Sequence, residues 1–123
     1  MLVIVDYKAG NLKSVERACS EVGVEAEISG DPERIRQASR LIFPGVGAAG
    51  AAMASLRETG IDEAIREFFN LGRPVLGICL GLQISLNYSE ENHTKTLDLI
   101  LGEVKKFRLK ETGLKIPHMG WNT

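Results

Sequence analysis

Short apolar runs and stretches of helical periodicity take turns along this chain as far as about residue 90. Leu2 to Val5 is a compact, β-branched-rich run that ends at Asp6, the pattern of a buried parallel strand. A turn with Gly10 and Asn11 follows. Leu12, Val15, Ala18, Cys19 and Val22 then recur at helical spacing with Gly23 as the stop, which places Cys19 on the inner face of a helix as a packing residue. Val24 to Ile28 alternates apolar and acidic positions, as a half-exposed strand does, and Asp31-Pro32 suits a turn opening a short helix with Ile35 and Ala38 inward.

Leu41 to Phe43 is the next strand, and it runs straight into Pro44-Gly45-Val46-Gly47. Ala49, Ala52, Met53 and Leu56 give a small-residue helical face ending near Gly60. A second helical stretch, Ile61 to Leu71, turns Ile65 and Phe68 inward and stops at Gly72. Pro74 to Ile78 supplies a fourth strand, and a helix restarts over Leu80 to Asn87. Beyond that the pattern weakens, with Glu103 to Leu109 reading as a strand and Lys115 to Trp121 as extended chain. No repeat, low-complexity tract or linker interrupts the series.

Strands alternating with helices predict an α/β domain with a doubly wound, mainly parallel sheet. Ligands of such sheets lie beyond the carboxyl ends of the strands. Asp6, the Pro44 to Gly47 loop and Cys79 all fall at such ends, so three strands point at one crevice.

Composition narrows the function classes. The 123 residues are 44% hydrophobic and 25% charged, enough for one core that buries roughly two-thirds of the unfolded chain's surface. A net charge of -1 encodes no general attraction to nucleic acid or to an anionic membrane. No apolar run approaches ~18 residues, and Met1 to Val5 is too short for a leader, so a cytoplasmic chain is expected. Two cysteines make neither a disulfide framework nor a zinc site, and no metal or cofactor is expected.

The chemistry concentrates at Gly77-Ile78-Cys79-Leu80-Gly81. A strand that turns sharply into a helix with a nucleophile on the turn needs small neighbours two positions either side. That geometry puts the sulfur at a helix N-terminus, where the dipole favours a thiolate, and aims the Leu80 N–H at an oxyanion formed by attack. Taken alone, the pattern fits a buried structural cysteine equally well. The Pro44 to Gly47 loop could supply a second oxyanion donor, though one Pro-Gly pair also suits an ordinary tight turn.

Four segments together resemble a known family. Asp6-Tyr7-x-x-Gly10-Asn11, Pro44-Gly45-Val46-Gly47, Gly77-Ile78-Cys79-Leu80-Gly81-Leu82-Gln83 and Pro117-His118-Met119-Gly120-Trp121-Asn122 are similar, in that order, to the glutaminase subunits of imidazole glycerol phosphate synthases, which are class I (triad) glutamine amidotransferases. The resemblance runs the length of the chain and implies a flavodoxin-like domain, of which residues 1–123 form the N-terminal part, incomplete at its C-terminal end. It implies that Cys79 attacks the side-chain amide of glutamine and that ammonia passes to a (β/α)8 cyclase partner in histidine biosynthesis. It further implies oxyanion donors at Leu80 and Val46, a glutamine pocket with Gly45, Gly47 and Gln83, a carboxylate for the substrate amino group at Glu91, and a cyclase-facing surface with Asn11 and Trp121. Lys8 stands where the family more often has glycine, so the turn after the first strand is expected to differ.

A nucleophile of this kind needs a histidine oriented by a carboxylate. The family supplies both from a His-x-Glu segment downstream of the Pro117 to Asn122 motif, and here the chain stops at Thr123. His93 sits in the polar run Glu90 to Lys95, and His118 lies within the motif assigned to the interface, which argues against either as a base. The expectation is a chain without measurable glutaminase turnover, with an exposed sheet edge that favours self-association. The competing readings are an elbow-cysteine redox or chaperone-like protein and a non-catalytic fragment or relative that binds the cyclase. A receiver domain is disfavoured by Pro44 at the phosphoacceptor position, and a phosphate loop by the absence of glycine before Lys13-Ser14.

Overall fold

The computed structural model describes residues 1–8, 11–86, 88–89, 94–100 and 103–104. Four parallel strands, β1 (Leu2–Val5), β2 (Ala26–Ser29), β3 (Arg40–Phe43) and β4 (Val75–Gly77), form one sheet in the order β2-β1-β3-β4. The flanking elements are α1 (Leu12–Glu21), α2 (Pro32–Gln37), α3 (Ala49–Thr59), α4 (Ile61–Asn70) and α5 (Leu80–Ile84). The doubly wound parallel sheet expected from the pattern is therefore present.

β1 is apolar throughout because it is covered on both faces and paired on both edges. Val3 lies beside Leu41 of β3, and Ile4 beside both Ile28 of β2 and Ile42 of β3. The strand's period of two divides its side chains between two cores. Val3, Val5, Leu41 and Phe43 pack with Ile35, Met53, Leu56, Ile65 and Phe68 from α2, α3 and α4. Leu2, Ile4 and Ile42 face α1, where Cys19 is buried and Leu12 and Val15 are half-buried. Cys19 is thus a packing residue, as its helical spacing predicts.

Local chemistry sets the helix ends. Asn11 caps α1 by accepting from the Ser14 N–H at 3.3 Å, and Asp31 caps α2 by accepting from the Glu33 N–H at 2.9 Å with Pro32 in the first turn. Gly60, at φ 78°, ends α3 and starts α4, so one apolar stretch becomes two helices. Arg34 of α2 makes a two-pronged ion pair with Glu27 of β2, and Arg36 joins α2 to Glu67 of α4.

Three departures from the sequence reading have physical causes. The strand expected from Val24 starts at Ala26, because the Val24 N–H is used to close α1 by donating to the Cys19 carbonyl at 2.9 Å. The helix from Leu80 ends at Ile84, since the N–H groups of Leu97, Asp98 and Leu99 donate to the carbonyls of Ile84, Leu86 and Ser85 and draw a returning segment over its end. A small second sheet, β6-β5-β7, is formed by β5 (Tyr88–Ser89), β6 (Thr94–Lys95) and β7 (Glu103–Val104), in the part of the chain where the sequence pattern weakens. Of the strand expected over Glu103 to Leu109, only its first two residues are described. The extended piece from Lys115 to Trp121 lies outside the described residues. No helix among the described residues is long and apolar enough to cross a membrane.

Candidate functional site

β1, β3 and β4 are lateral neighbours, so the chain segments leaving their carboxyl ends emerge side by side. Cys79 follows β4 at φ 52° and ψ −120°, a conformation that L-residues with a β-carbon avoid. The surroundings enforce it. The Ile78 N–H donates to the Phe43 carbonyl, the Leu80 N–H to the Gly45 carbonyl and the Gly81 N–H to the Ile78 carbonyl, each at 3.0 Å. The turn is clamped before and after the cysteine, and the thiol is left exposed.

Both flanking glycines are required by close approach. A β-carbon on Gly81 would lie 1.7 Å from the Phe43 carbonyl oxygen, and one on Gly77 would lie 2.9 Å from the Leu82 α-carbon. The G-x-C-x-G spacing is therefore that of a strained strand-to-helix turn that presents its central residue, rather than of a buried cysteine.

The loop after β3 lies directly against this turn. Its Gly45 carbonyl accepts from Leu80, and the Gly45 α-carbon faces the Tyr7 hydroxyl. In a trans peptide the C=O and N–H point in opposite directions, so the Val46 N–H is aimed away from the Leu80 amide. The two amides expected to converge on an oxyanion do not converge in this state, because the peptide joining Gly45 to Val46 turns its acceptor toward Leu80. Turning that one peptide over would release the Leu80 N–H and bring the Val46 N–H to the same side. Gly45 and Gly47, the latter at φ 110°, give the loop the freedom to do so. The sequence alone gave no signal of this orientation. The first-turn amides of α5 expected to favour a thiolate are likewise engaged, with Leu80 and Gly81 both donating to carbonyls.

The other expected site residues divide. Gln83 is exposed on α5, one turn from Cys79, and its N–H donates to the Cys79 carbonyl at 3.1 Å. Asn11 is exposed, and its side chain serves as the α1 cap. Lys8 adopts φ 64°, the left-handed conformation that suits a glycine, and its N–H donates to Asp6 Oδ1 at 3.2 Å. Glu91, Trp121, His93 and His118 lie outside the described residues. Tyr7 has no role that its sequence motif predicts. Its hydroxyl donates to the Pro44 carbonyl beneath the loop at 2.5 Å.

A parallel α/β sheet with an exposed cysteine on a strained elbow and a glycine loop from the adjacent strand defines a nucleophile-elbow protein of the doubly wound class. Residues 3–123 match the glutamine amidotransferase class-I family, and the chain belongs to it. It is 53% identical over 127 aligned positions to the imidazole glycerol phosphate synthase subunit HisH of Nitratidesulfovibrio vulgaris strain DP4, covering 99% of this chain and 60% of that protein. It is 49% identical over 126 positions to the subunit of the same name from Sulfurimonas denitrificans, again covering 99% of this chain and 60% of the other. The chain thus spans about 60% of the length of the curated relatives it matches. Among solved structures, a glutamine amidotransferase superposes with a TM-score of 0.65 at 21% identity, over 77% of this chain and 50% of that one. A peptidase E-like protein from Listeria monocytogenes EGD-e superposes with a TM-score of 0.67 at 14% identity, over 80% and 62%. These two likenesses concern the fold.

Proposed function

We propose that this chain carries the nucleophile and oxyanion loop of a glutaminase that hydrolyses glutamine to glutamate and supplies the ammonia to a (β/α)8 cyclase partner in histidine biosynthesis. The observation that carries the reading is the strained Cys79 backbone with its thiol exposed, on a turn whose flanking residues Ile78 and Leu80 donate to the carbonyls of Phe43 and of Gly45 in the glycine loop. The relatives named as imidazole glycerol phosphate synthase subunits support the choice of pathway.

In this reading the Cys79 sulfur bonds to the side-chain amide carbon of glutamine, and the carbonyl π pair moves onto oxygen. Leu80 and Val46 donate to that oxyanion once the Gly45–Val46 peptide has turned. Collapse re-forms the C=O, breaks the C–N bond and releases ammonia, with the proton delivered by a general acid. Water then adds to the thioester, and departure of the thiolate leaves glutamate. Gly45, Gly47, Gln83 and Glu91 are the proposed substrate contacts, and Asn11 and Trp121 the proposed cyclase contacts. Both histidines lie outside the described residues, so the proton carrier is assigned to neither.

The position of the Pro44 to Gly47 loop against the cysteine turn favours amidotransfer over a redox role, which needs a reactive thiol but no oxyanion donors. The test is covalent labelling by a γ-glutamyl diazoketone, read by peptide mass spectrometry. The expected adduct is on Cys79 and not Cys19, with formation slowed by glutamine and unaffected by asparagine. Labelling that glutamine does not slow would overturn the reading.

A further inference from the structure

Tyr7 follows directly on β1 and is only 2% exposed. Its ring lies 5.2 Å from that of Phe43, and its hydroxyl donates to the Pro44 carbonyl at 2.5 Å. The phenol oxygen also fills the space beside Gly45, where a β-carbon would come within 1.8 Å of it. At its other end the Tyr7 carbonyl accepts from the Ser55 hydroxyl of α3 at 2.9 Å. Burial raises the pKa of the phenol, so it stays a donor throughout the neutral range.

Two adjacent peptide planes of the loop are thus held by different partners. The Pro44 carbonyl is held by Tyr7, and the Gly45 carbonyl by the Leu80 N–H. Turning the second plane changes ψ of Gly45 and φ of Val46, and the first plane is the anchor against which it turns. A cavity of about 440 Å³, lined by Tyr7, Lys8, Val46, Gly47 and residues of α3, gives the loop room to move.

We propose that Tyr7 is a positioning residue for the loop: by holding the Pro44 carbonyl, its hydroxyl keeps the Gly45–Val46 peptide on the Leu80 amide and so governs how often that amide is free. The proposal rests on the reading of Leu80 and Val46 as oxyanion donors and adds the side chain that controls them. It also links the site to the chain leaving β1, because Lys8, next to Tyr7, stands at φ 64° and donates its N–H to Asp6 Oδ1.

Amide hydrogen exchange of the full chain, followed by NMR at neutral pH without glutamine, tests it. In Tyr7→Phe the Leu80 amide is expected to exchange roughly five-fold faster, and its proton resonance to move upfield as the bond to Gly45 weakens. The Leu41 and Ile35 amides, which donate to the Pro74 and Asp31 carbonyls, are expected to keep their rates. An unchanged Leu80, or a rise shared equally by all three amides, would overturn the proposal. Should Tyr7→Phe not fold, Ser55→Ala loosens the Tyr7 main chain and is expected to give the same selective rise at Leu80. Failure of the glutaminase reading would show in the Cys79 labelling and leave this exchange pattern intact.

Discussion

A methyl group on Gly81 would sit 1.7 Å from the carbonyl oxygen of Phe43, so the turn that presents Cys79 and the end of β3 occupy one space. The contact joins a chemical element to a structural one. It fixes the distance between the cysteine turn and the loop after β3, because the residue after Phe43 begins that loop.

Gly81→Ala is accordingly expected to destabilise the chain by about 3 kcal/mol or more, since neither backbone can yield without breaking the parallel pairing. Gly72→Ala is the control. Gly72 has φ 75° but nothing within 4 Å of a β-carbon, so only the conformational cost of about 1 kcal/mol applies. Urea denaturation of both variants measures the difference, and equal costs would contradict the crowding argument.

Tyr7 and Gly45 should behave as a coupled pair. Gly45→Ala places a β-carbon 1.8 Å from the phenol oxygen but 3.0 Å from the ring carbon that carries it. In a Tyr7→Phe background the same substitution is therefore expected to cost at least about 1 kcal/mol less. A double-mutant cycle in urea gives the number, and additive single effects would show that the phenol does not occupy that space.

Most of the fold was legible in the sequence, because the elements that form it are strongly periodic and locally capped. β1 and the α3–α4 pair are examples: an apolar run buried on both faces in the first, and a glycine between two helical faces in the second. The elbow was legible as a spacing of glycines, which follows from steric necessity at Gly77 and Gly81. The small sheet around β5 was not, since strands of two residues carry no periodicity and are held by main-chain bonds. Nor was the orientation of the Gly45–Val46 peptide, which depends on which carbonyl meets the Leu80 amide across a turn. The role of Tyr7 was not legible either, because its partner Pro44 is distant in the chain and contributes a main-chain oxygen that no side-chain pattern reveals.

Cys79→Gly should separate stability from chemistry. Glycine accepts φ 52°, ψ −120° without penalty, so the variant is expected to gain about 1–2 kcal/mol while losing all diazoketone labelling. Cys79→Ala keeps the β-carbon and should lose the label without the gain. Thermal melts beside the labelling assay test both, and a destabilised Cys79→Gly would mean that the turn is not strained.

The Tyr7 phenol gives an alkaline signature. Below the ordinary phenol pKa of about 10 the group is protonated in both folded and unfolded chains, and its stabilising contribution is fully present. Burial raises the folded-state pKa, so above about pH 10 the unfolded chain releases a proton that the folded chain retains. Stability then falls with rising pH by at most about 1.4 kcal/mol per pH unit for this one proton. Tyr7→Phe is expected to flatten the fall between pH 10 and the onset of alkaline unfolding, as urea midpoints across that range would register.

A single peptide plane carries both the oxygen that occupies the Leu80 amide and the N–H of Val46. On the proposed reading the site then works as a toggle and has no dimmer: the two donors are armed together or not at all. Whatever tunes such an enzyme, from a docked partner to a substitution at Tyr7, would change the fraction of molecules that are ready, while each ready molecule works at the same rate. An intermediate activity would be a head count.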